Sequence, residues 1–164
     1  MLAAQEGYER VVELLQHDAE INLQSSNGRT ALMNAAQKGR ERVVDLLMRH
    51  GAELNLQSSN GNTALMDAAH QGHERVVDLL MQHGAEVNLK DKDGVPALMC
   101  AAYNGHPAVV LRLLRAGADK ALRAENNMTA LQCARKKGND ECVRAIEEHA
   151  SAEAAAEAAA REAE

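Results

Sequence analysis

The chain has 164 residues, of which 46% are hydrophobic and 26% are charged, so one ordered domain is expected. Its formal charge of −6, from 18 basic and 24 acidic residues, argues against a primary role on nucleic acid or on an anionic membrane. It contains no Phe, no Trp and only two Tyr, which favours closely packed helices over strands.

The cysteines and the N-terminus bear on the compartment. Cys100, Cys133 and Cys142 are odd in number and lack the CxxC spacing of a zinc or redox site, which fits reduced thiols. The apolar run at the N-terminus ends before Gln5, and no run reaches the ~18 apolar residues of a membrane span. We therefore expect a soluble intracellular protein, cytoplasmic or nuclear.

A repeat of 33 residues organises the chain. Leucines recur in register at one position of the repeat, at Leu32, Leu65, Leu98 and Leu131. A unit of this length cannot bury its apolar faces alone, so the units must stack. We expect a repeat domain over residues 1–149, with a helical extension over residues 150–164. The expected units cover residues 1–24, 25–57, 58–90, 91–123 and 124–149.

Each unit carries its own start and stop signals. It begins with a polar turn in which Asn-Gly or Asp-Gly is expected to supply positive φ, as at Asn27 and Gly28. A threonine such as Thr30 then predicts the N-cap of a first helix, and Pro96 occupies this place in one unit. Paired valines and leucines form the apolar face of a second helix, which ends at a glycine such as Gly51. The pattern predicts an all-α solenoid of helix pairs with short β-hairpin loops.

The motif G-x-T-A-L-M-x-A-A-x-x-G-x-x-x-V-V-x-L-L-x-x-x-G-A-x-x-N resembles the ankyrin repeat. The resemblance implies an L-shaped unit, a hairpin finger with two antiparallel helices, and a curved groove that recognises proteins. The family's usual Thr-Pro-Leu-His is here Thr-Ala-Leu-Met, so Met33 and Met66 replace a histidine whose hydrogen bonds help to link successive units. We therefore expect adaptable packing in place of polar links between units.

The two ends of the array depart from this pattern. The first unit aligns at an offset of 32 and has Asp18 where later units have glycine, so we interpret it as a truncated cap. The last unit carries Arg135, Lys136 and Lys137 at outer positions, as a terminal unit facing water should. The alanine-rich segment that follows is predicted to be a solvated extension of the last helix, with an engineered rigid spacer as the alternative.

No catalytic or metal-binding constellation is found in the sequence. His17, His50 and His83 form one column, but neighbouring members lie one unit apart, ~8–10 Å, which is too far for one zinc ion. Cys100 and Cys133 are likewise one unit apart, beyond the reach of a disulfide. No phosphate-binding, metalloprotease or hydrolase motif occurs. We expect no enzyme activity, no metal and no cofactor.

The partner-binding residues are predicted by comparing the units with one another. Residues needed for stacking are held to one type, whereas positions free of packing differ from unit to unit. By resemblance to ankyrin proteins, the variable turn ends and first-helix ends line the concave face. Tyr103 is the first candidate anchor, because aromatic residues are enriched at interface hot spots. The predicted residues are Arg29, Lys38, Asn62, His70, Gln71, Val95, Tyr103, Asn104, Met128 and Lys136.

The leading hypothesis is a monomeric, non-catalytic protein–protein interaction module whose partner lies across the concave face. One alternative is an engineered scaffold or self-assembling subunit that uses the helical tail, since neighbouring units are near duplicates. Another, by resemblance to the segments so modified in ankyrin domains, is a substrate of asparagine hydroxylation at Asn22, Asn55 and Asn88. The competing interpretation of these asparagines is stabilisation of the turns.

Overall fold

The computed structural model describes residues 21–162, which form eight α-helices and no β-strand. The odd-numbered helices are the first helices of the four described units, and the even-numbered helices are the second helices. The all-α prediction is confirmed. Of the unit predicted over residues 1–24, residues 1–20, which include His17 and Asp18, lie outside the described part of the chain. The helices are α1 (Ala31–Gln37), α2 (Glu41–Arg49), α3 (Ala64–Gln71), α4 (Glu74–Gln82), α5 (Ala97–Asn104), α6 (Pro107–Arg115), α7 (Ala130–Lys137) and α8 (Asp140–Glu162).

Each first helix begins where the sequence predicts its N-cap. The Thr30 hydroxyl accepts a hydrogen bond from the backbone N–H of Met33 at 3.3 Å, and the Met33 sulfur accepts one from the N–H of Thr30 at 3.5 Å. The same two bonds join Thr63 and Met66. Donors that the start of a helix leaves without partners are thereby satisfied. Pro96 begins α5 with no side-chain cap bond.

The helices stack in two rows that share one core. First helices pack in the order α1, α3, α5 and α7, and second helices in the order α2, α4, α6 and α8. Equivalent positions are equally buried in the first three described units, where Leu32, Leu65 and Leu98 are each 1% exposed, while Leu131 in the last unit is half-buried. Close packing at these positions explains why the same residue type recurs there. The stacked solenoid is confirmed.

The finger turns depend on a single left-handed residue. In the first described finger the N–H of Gly28 donates to the carbonyl of Ser25 at 2.8 Å, with φ of 72° at Gly28. We expected positive φ across the Asn-Gly pair, but among residues 21–162 only glycines and Asn127 have it. Asn127, with φ of 62°, stands where the other units have glycine, which fits the tolerance of asparagine for this region.

Polar links join successive units, contrary to our expectation of packing alone. His73 Nε2 lies 3.1 Å from the carbonyl of Gln37, and His106 Nε2 lies 2.9 Å from the carbonyl of His70. Asn139 donates to two carbonyls in the last turn of α5, at 2.8 and 2.9 Å. Carbonyls at the end of each first helix have no intrahelical partner. The residue before the next second helix satisfies them, so the link comes from a different position than the replaced histidine.

Helix α8 continues from the last unit into the extension without a break. Cys142, Ala145 and Ile146 are buried in its first part, whereas every residue from 151 to 162 is exposed. A hydrogen bond from Lys120 lowers the pKa of Glu153, which ties the start of the exposed part to the preceding unit. No helix of residues 21–162 combines the length and the apolar character needed to cross a membrane.

Candidate functional site

The candidate site is the surface formed by the finger ends and the first helices, which we call the groove. Each finger runs directly into an N-cap, so the residue at its end lies beside the first helix of its own unit. Four positions of each unit contribute, and we call them the groove positions. They are Arg29, Asn62, Val95 and Met128 at the finger ends; Asn34, Asp67, Cys100 and Cys133 in the helices; Gln37, His70, Tyr103 and Lys136 near the helix ends; and Lys38, Gln71, Asn104 and Lys137 at or next to the helix ends.

Arg29 fills the N-terminal end of the groove with a polar network. Its Nε donates to Asn34 Oδ1 at 2.9 Å, and one terminal nitrogen donates to Gln37 Oε1 at 3.3 Å and to Asp67 Oδ2 at 2.9 Å. The Arg29 and Asp67 side chains are only 18% and 10% exposed. Arg29 therefore links the first two described units, and much of its hydrogen-bonding capacity is used within the chain.

The electrostatics of this network are set by burial. Removal of the Asp67 carboxyl from water raises its pKa above the ordinary value, and the neighbouring Arg29 opposes that rise. Burial has the larger effect of the two, so the ionised carboxylate is held at a cost. A partly buried ion pair of this kind tolerates the loss of one member poorly.

The other polar residues predicted in the groove differ in exposure. Lys38, His70 and Gln71 are exposed, with Gln71 Nε2 at 3.4 Å from His70 Nδ1. Asn62 is half-buried, and Asn104 donates from its side chain to the carbonyl of Cys100 at 2.8 Å. Lys38, His70 and Gln71 therefore offer side chains to a partner, whereas Asn104 is held by its own helix.

The C-terminal half of the groove has an apolar floor. Val95 and Met128 are half-buried and pack against the core. Cys133 is buried and Cys100 half-buried, and burial raises the pKa of the Cys100 thiol to about 12. Both thiols are free and act here as small apolar groups.

Tyr103 belongs to the same unit as Val95 and Cys100. Its side chain is 47% exposed, which makes it one of two large exposed hydrophobic residues among residues 21–162. The Lys137 Nζ lies 4.2 Å from the centre of its ring, close enough for a cation–π interaction. Lys136, next to it, is exposed. An aromatic ring and two lysines thus meet at the C-terminal end of the groove.

Sequence reasoning missed the second set of groove positions. Asn34, Asp67 and Cys100 differ from one another, which is the same signal that identified the finger ends, and Cys133 repeats the residue type of Cys100. Lys137, which contacts Tyr103, belongs to a variable column that the comparison of units does identify, the one that also contains Lys38.

The asparagines considered as hydroxylation substrates make links between units. Asn88 Nδ2 donates to the carbonyl of Gly117 at 3.2 Å, and its Oδ1 accepts from the N–H of Asp119 at 2.8 Å. Asn22 and Asn55 each accept a backbone bond in the next unit in the same way. The turn-stabilising role is visible in these bonds, and hydroxylation stays a prediction. Within residues 21–162 no three His, Cys, Asp or Glu side chains are grouped to hold a metal ion.

The fold and the repeated groove positions can now be set beside known families. A family model described as ankyrin repeats (3 copies) matches residues 1–91 and 84–158. The chain belongs to the ankyrin repeat family. No curated protein matches the sequence. Ankyrin repeats are generally protein–protein interaction modules, and the family is typically non-catalytic.

Proposed function

We propose that this ankyrin repeat chain is a non-catalytic interaction module that binds a partner protein in the groove. The observation that carries the proposal is a contrast between two classes of position. Core positions repeat one residue type through the three units of residues 25–123, as at Leu65 and Leu98, which are both 1% exposed. Groove positions change between neighbouring units at most places, with Cys100 and Cys133 as the exception, and several of them present exposed polar, basic or aromatic side chains. A surface freed from packing and rich in such groups is suited to recognition.

The dimensions of the groove fit a protein partner. Four described units at ~8–10 Å per unit give a surface about 30 Å long. A standard interface buries about 800 Å² on each partner, which a surface of this length accommodates. With a net charge of −6, the chain is not suited to nucleic acid as its main partner.

Affinity capture from a cell lysate tests the proposal. The bait is the full chain, and the groove variant combines Tyr103→Ala with Lys136→Ala, two exposed residues. A matched control combines Gln82→Ala and Arg115→Ala, exposed residues on second helices α4 and α6. Arg29 is left intact because its loss would also disturb the junction between units.

We expect the groove variant to lose a protein that the wild type and the control both retain. Loss of an interface hot-spot residue weakens binding by roughly 2 kcal/mol or more, about thirtyfold. Circular dichroism of both variants shows whether the helical fold is kept. Equal recovery of every captured protein by the wild type and the groove variant contradicts the placement of the site.

Assembly through the tail is a second candidate function, favoured by the exposure of every residue from 151 to 162 on one continuous helix. Light scattering gives the molar mass of the full chain and of a chain that ends at residue 150. Tail-mediated assembly requires a larger mass for the full chain than one copy, and a fall to one copy on truncation. The same single-copy mass for both chains excludes it.

A further inference from the structure

The charges of the groove have the opposite sign to the charge of the chain. The chain carries −6, yet the groove positions hold four basic residues and one acidic residue. The acidic residue, Asp67, is paired with Arg29 at 2.9 Å. The exposed charges that remain in the groove are all positive: Lys38 at one end, and Lys136 and Lys137 at the other.

The lysine pair lies beside the apolar half of the groove. Val95 and Met128 are half-buried on the finger side, and Tyr103 is 47% exposed on the helix side. Lys137 holds its ammonium 4.2 Å from the centre of the Tyr103 ring. A cation–π contact leaves donors of an ammonium group available, so Lys137 can still receive a carboxylate. Apolar and cationic groups are therefore presented side by side.

The end of a helix does not by itself explain the lysines. Cations in a last turn are favoured by the helix dipole, and α7 has three such residues. However, α1 and α5, each of which is followed by a further unit, have no basic residue in the last turn. Arg135, the third cation of α7, pairs with Glu147. The other two cations of α7, Lys136 and Lys137, occupy groove positions.

The acidic groups near this half lie on the finger tips and at the start of α8. Asp140 and Glu141 are exposed at the start of α8. On the finger tips Asp93 and Glu125 are exposed, whereas Asp91 is half-buried and its carboxylate accepts the N–H of Val95 at 2.8 Å within its own turn.

The fingers also carry the exposed basic residues Lys90, Lys92 and Arg123, so they hold both signs of charge. The charged groove positions of this half are Lys136 and Lys137, both basic, and the acidic side chains of a bound segment are directed toward them.

We propose, resting on the proposed function, that the C-terminal half of the groove binds an extended, acidic segment of a partner protein. Carboxylates of the segment lie at Lys136 and Lys137, and an adjacent apolar side chain lies on the floor of Val95, Cys100 and Met128. Two unit steps at ~8–10 Å give about 20 Å. An extended chain rises about 3.3 Å per residue, so about six residues fill this half.

Fluorescence anisotropy with defined peptides tests the proposal. The probe is a labelled peptide of about eight residues in which Glu and Leu alternate, long enough to span this half of the groove. The comparison peptide has Gln in place of Glu, and a third peptide has the sequence of residues 151–164. We expect the Glu–Leu peptide to bind about tenfold more tightly than the Gln–Leu peptide, as two favourable charge pairs allow.

Variants of the full chain locate the bound peptide. Lys136→Gln with Lys137→Gln is expected to remove the tenfold preference. Arg49→Gln with Arg115→Gln, which removes the same charge from exposed positions on the second helices α2 and α6, is expected to keep it. Equal binding of the Glu–Leu and Gln–Leu peptides, or no binding of either, overturns the proposal. Tighter binding of the peptide of residues 151–164 also overturns it, in favour of a second copy of the chain. Capture of a partner by the groove while the Glu–Leu peptide fails leaves the proposed function standing.

Discussion

The two halves of the array share one core and differ in their groove. In the first half, Arg29 ties Asn34, Gln37 and Asp67 into a polar network with little exposure. In the second half the equivalent positions are Val95 and Met128 over free thiols, and Tyr103 remains exposed. Where polar groups satisfy one another, the surface is closed. Where they do not, side chains are left for a partner.

This difference shows that one backbone can serve stability at one end and recognition at the other. The repeated glycines and leucines keep the units in register, so the groove positions can change without loss of the fold. The C-terminal end of the array differs from the junctions between units in what covers the end of the first helix. At each inner junction a side chain lies over the glycine that ends the preceding first helix, while the last such glycine is uncovered.

The largest expected effect compares an inner junction with the open end. A methyl group at Gly72 would lie 2.5 Å from the His106 ring, whereas Gly138 has nothing within 4 Å. Both glycines have positive φ, 77° and 73°, so the backbone strain is matched. We expect Gly138→Ala to lower the free energy of unfolding by about 1 kcal/mol and Gly72→Ala by about 3 kcal/mol. Urea unfolding measures both, and equal costs would show that the His106 contact is unimportant.

The next effect compares the finger end Arg29, which is paired with a buried carboxylate, with the finger end Asn62, which is not. Arg29→Ala leaves the Asp67 carboxylate, 10% exposed, without its cation, and we expect a loss of about 2 kcal/mol in the free energy of unfolding at pH 7. Asn62→Ala changes the same position of the next unit and is expected to cost within about 0.5 kcal/mol. Urea unfolding measures both variants. Equal free energies of unfolding would show that the Arg29 network does not stabilise the junction.

The smallest effect is a pH dependence of the polar network. Burial raises the pKa of Asp67 above 3.8, so the folded chain holds this proton more tightly than the unfolded chain. The stability that Asp67 contributes is therefore fully present at low pH and lost as pH rises through the raised pKa. We expect the unfolding free energy of the wild type to fall relative to that of Asp67→Asn over this range. A rise instead would mean that attraction to Arg29 outweighs burial.

The fold was predictable from the sequence because its signals repeat. Thr30 and Thr63 mark helix starts in register, and the leucine column marks the core, so several copies of each signal support one interpretation. The links through His73 and His106 were not predicted, since a histidine before a helix gives no sign of the carbonyl that it reaches.

The site was predictable only as a set of variable positions. Variation identified Tyr103 and Lys136, but it ranked Arg29 as a free contact residue although most of its donors are used within the chain. Whether a variable polar residue is satisfied depends on neighbours one unit away. The Asp67 carboxylate lies 38 positions along the chain from Arg29, and pattern analysis of one unit does not join them.

The placement of the partner is tested most directly by amide NMR spectra of the chain, recorded while the captured partner protein is added. The account predicts that signals of the finger ends and of α1, α3, α5 and α7 shift or broaden, most strongly around Tyr103 and Lys136. Signals of α2, α4 and α6 are predicted to stay in place. Changes concentrated on those second helices, with the groove signals unmoved, would contradict the account.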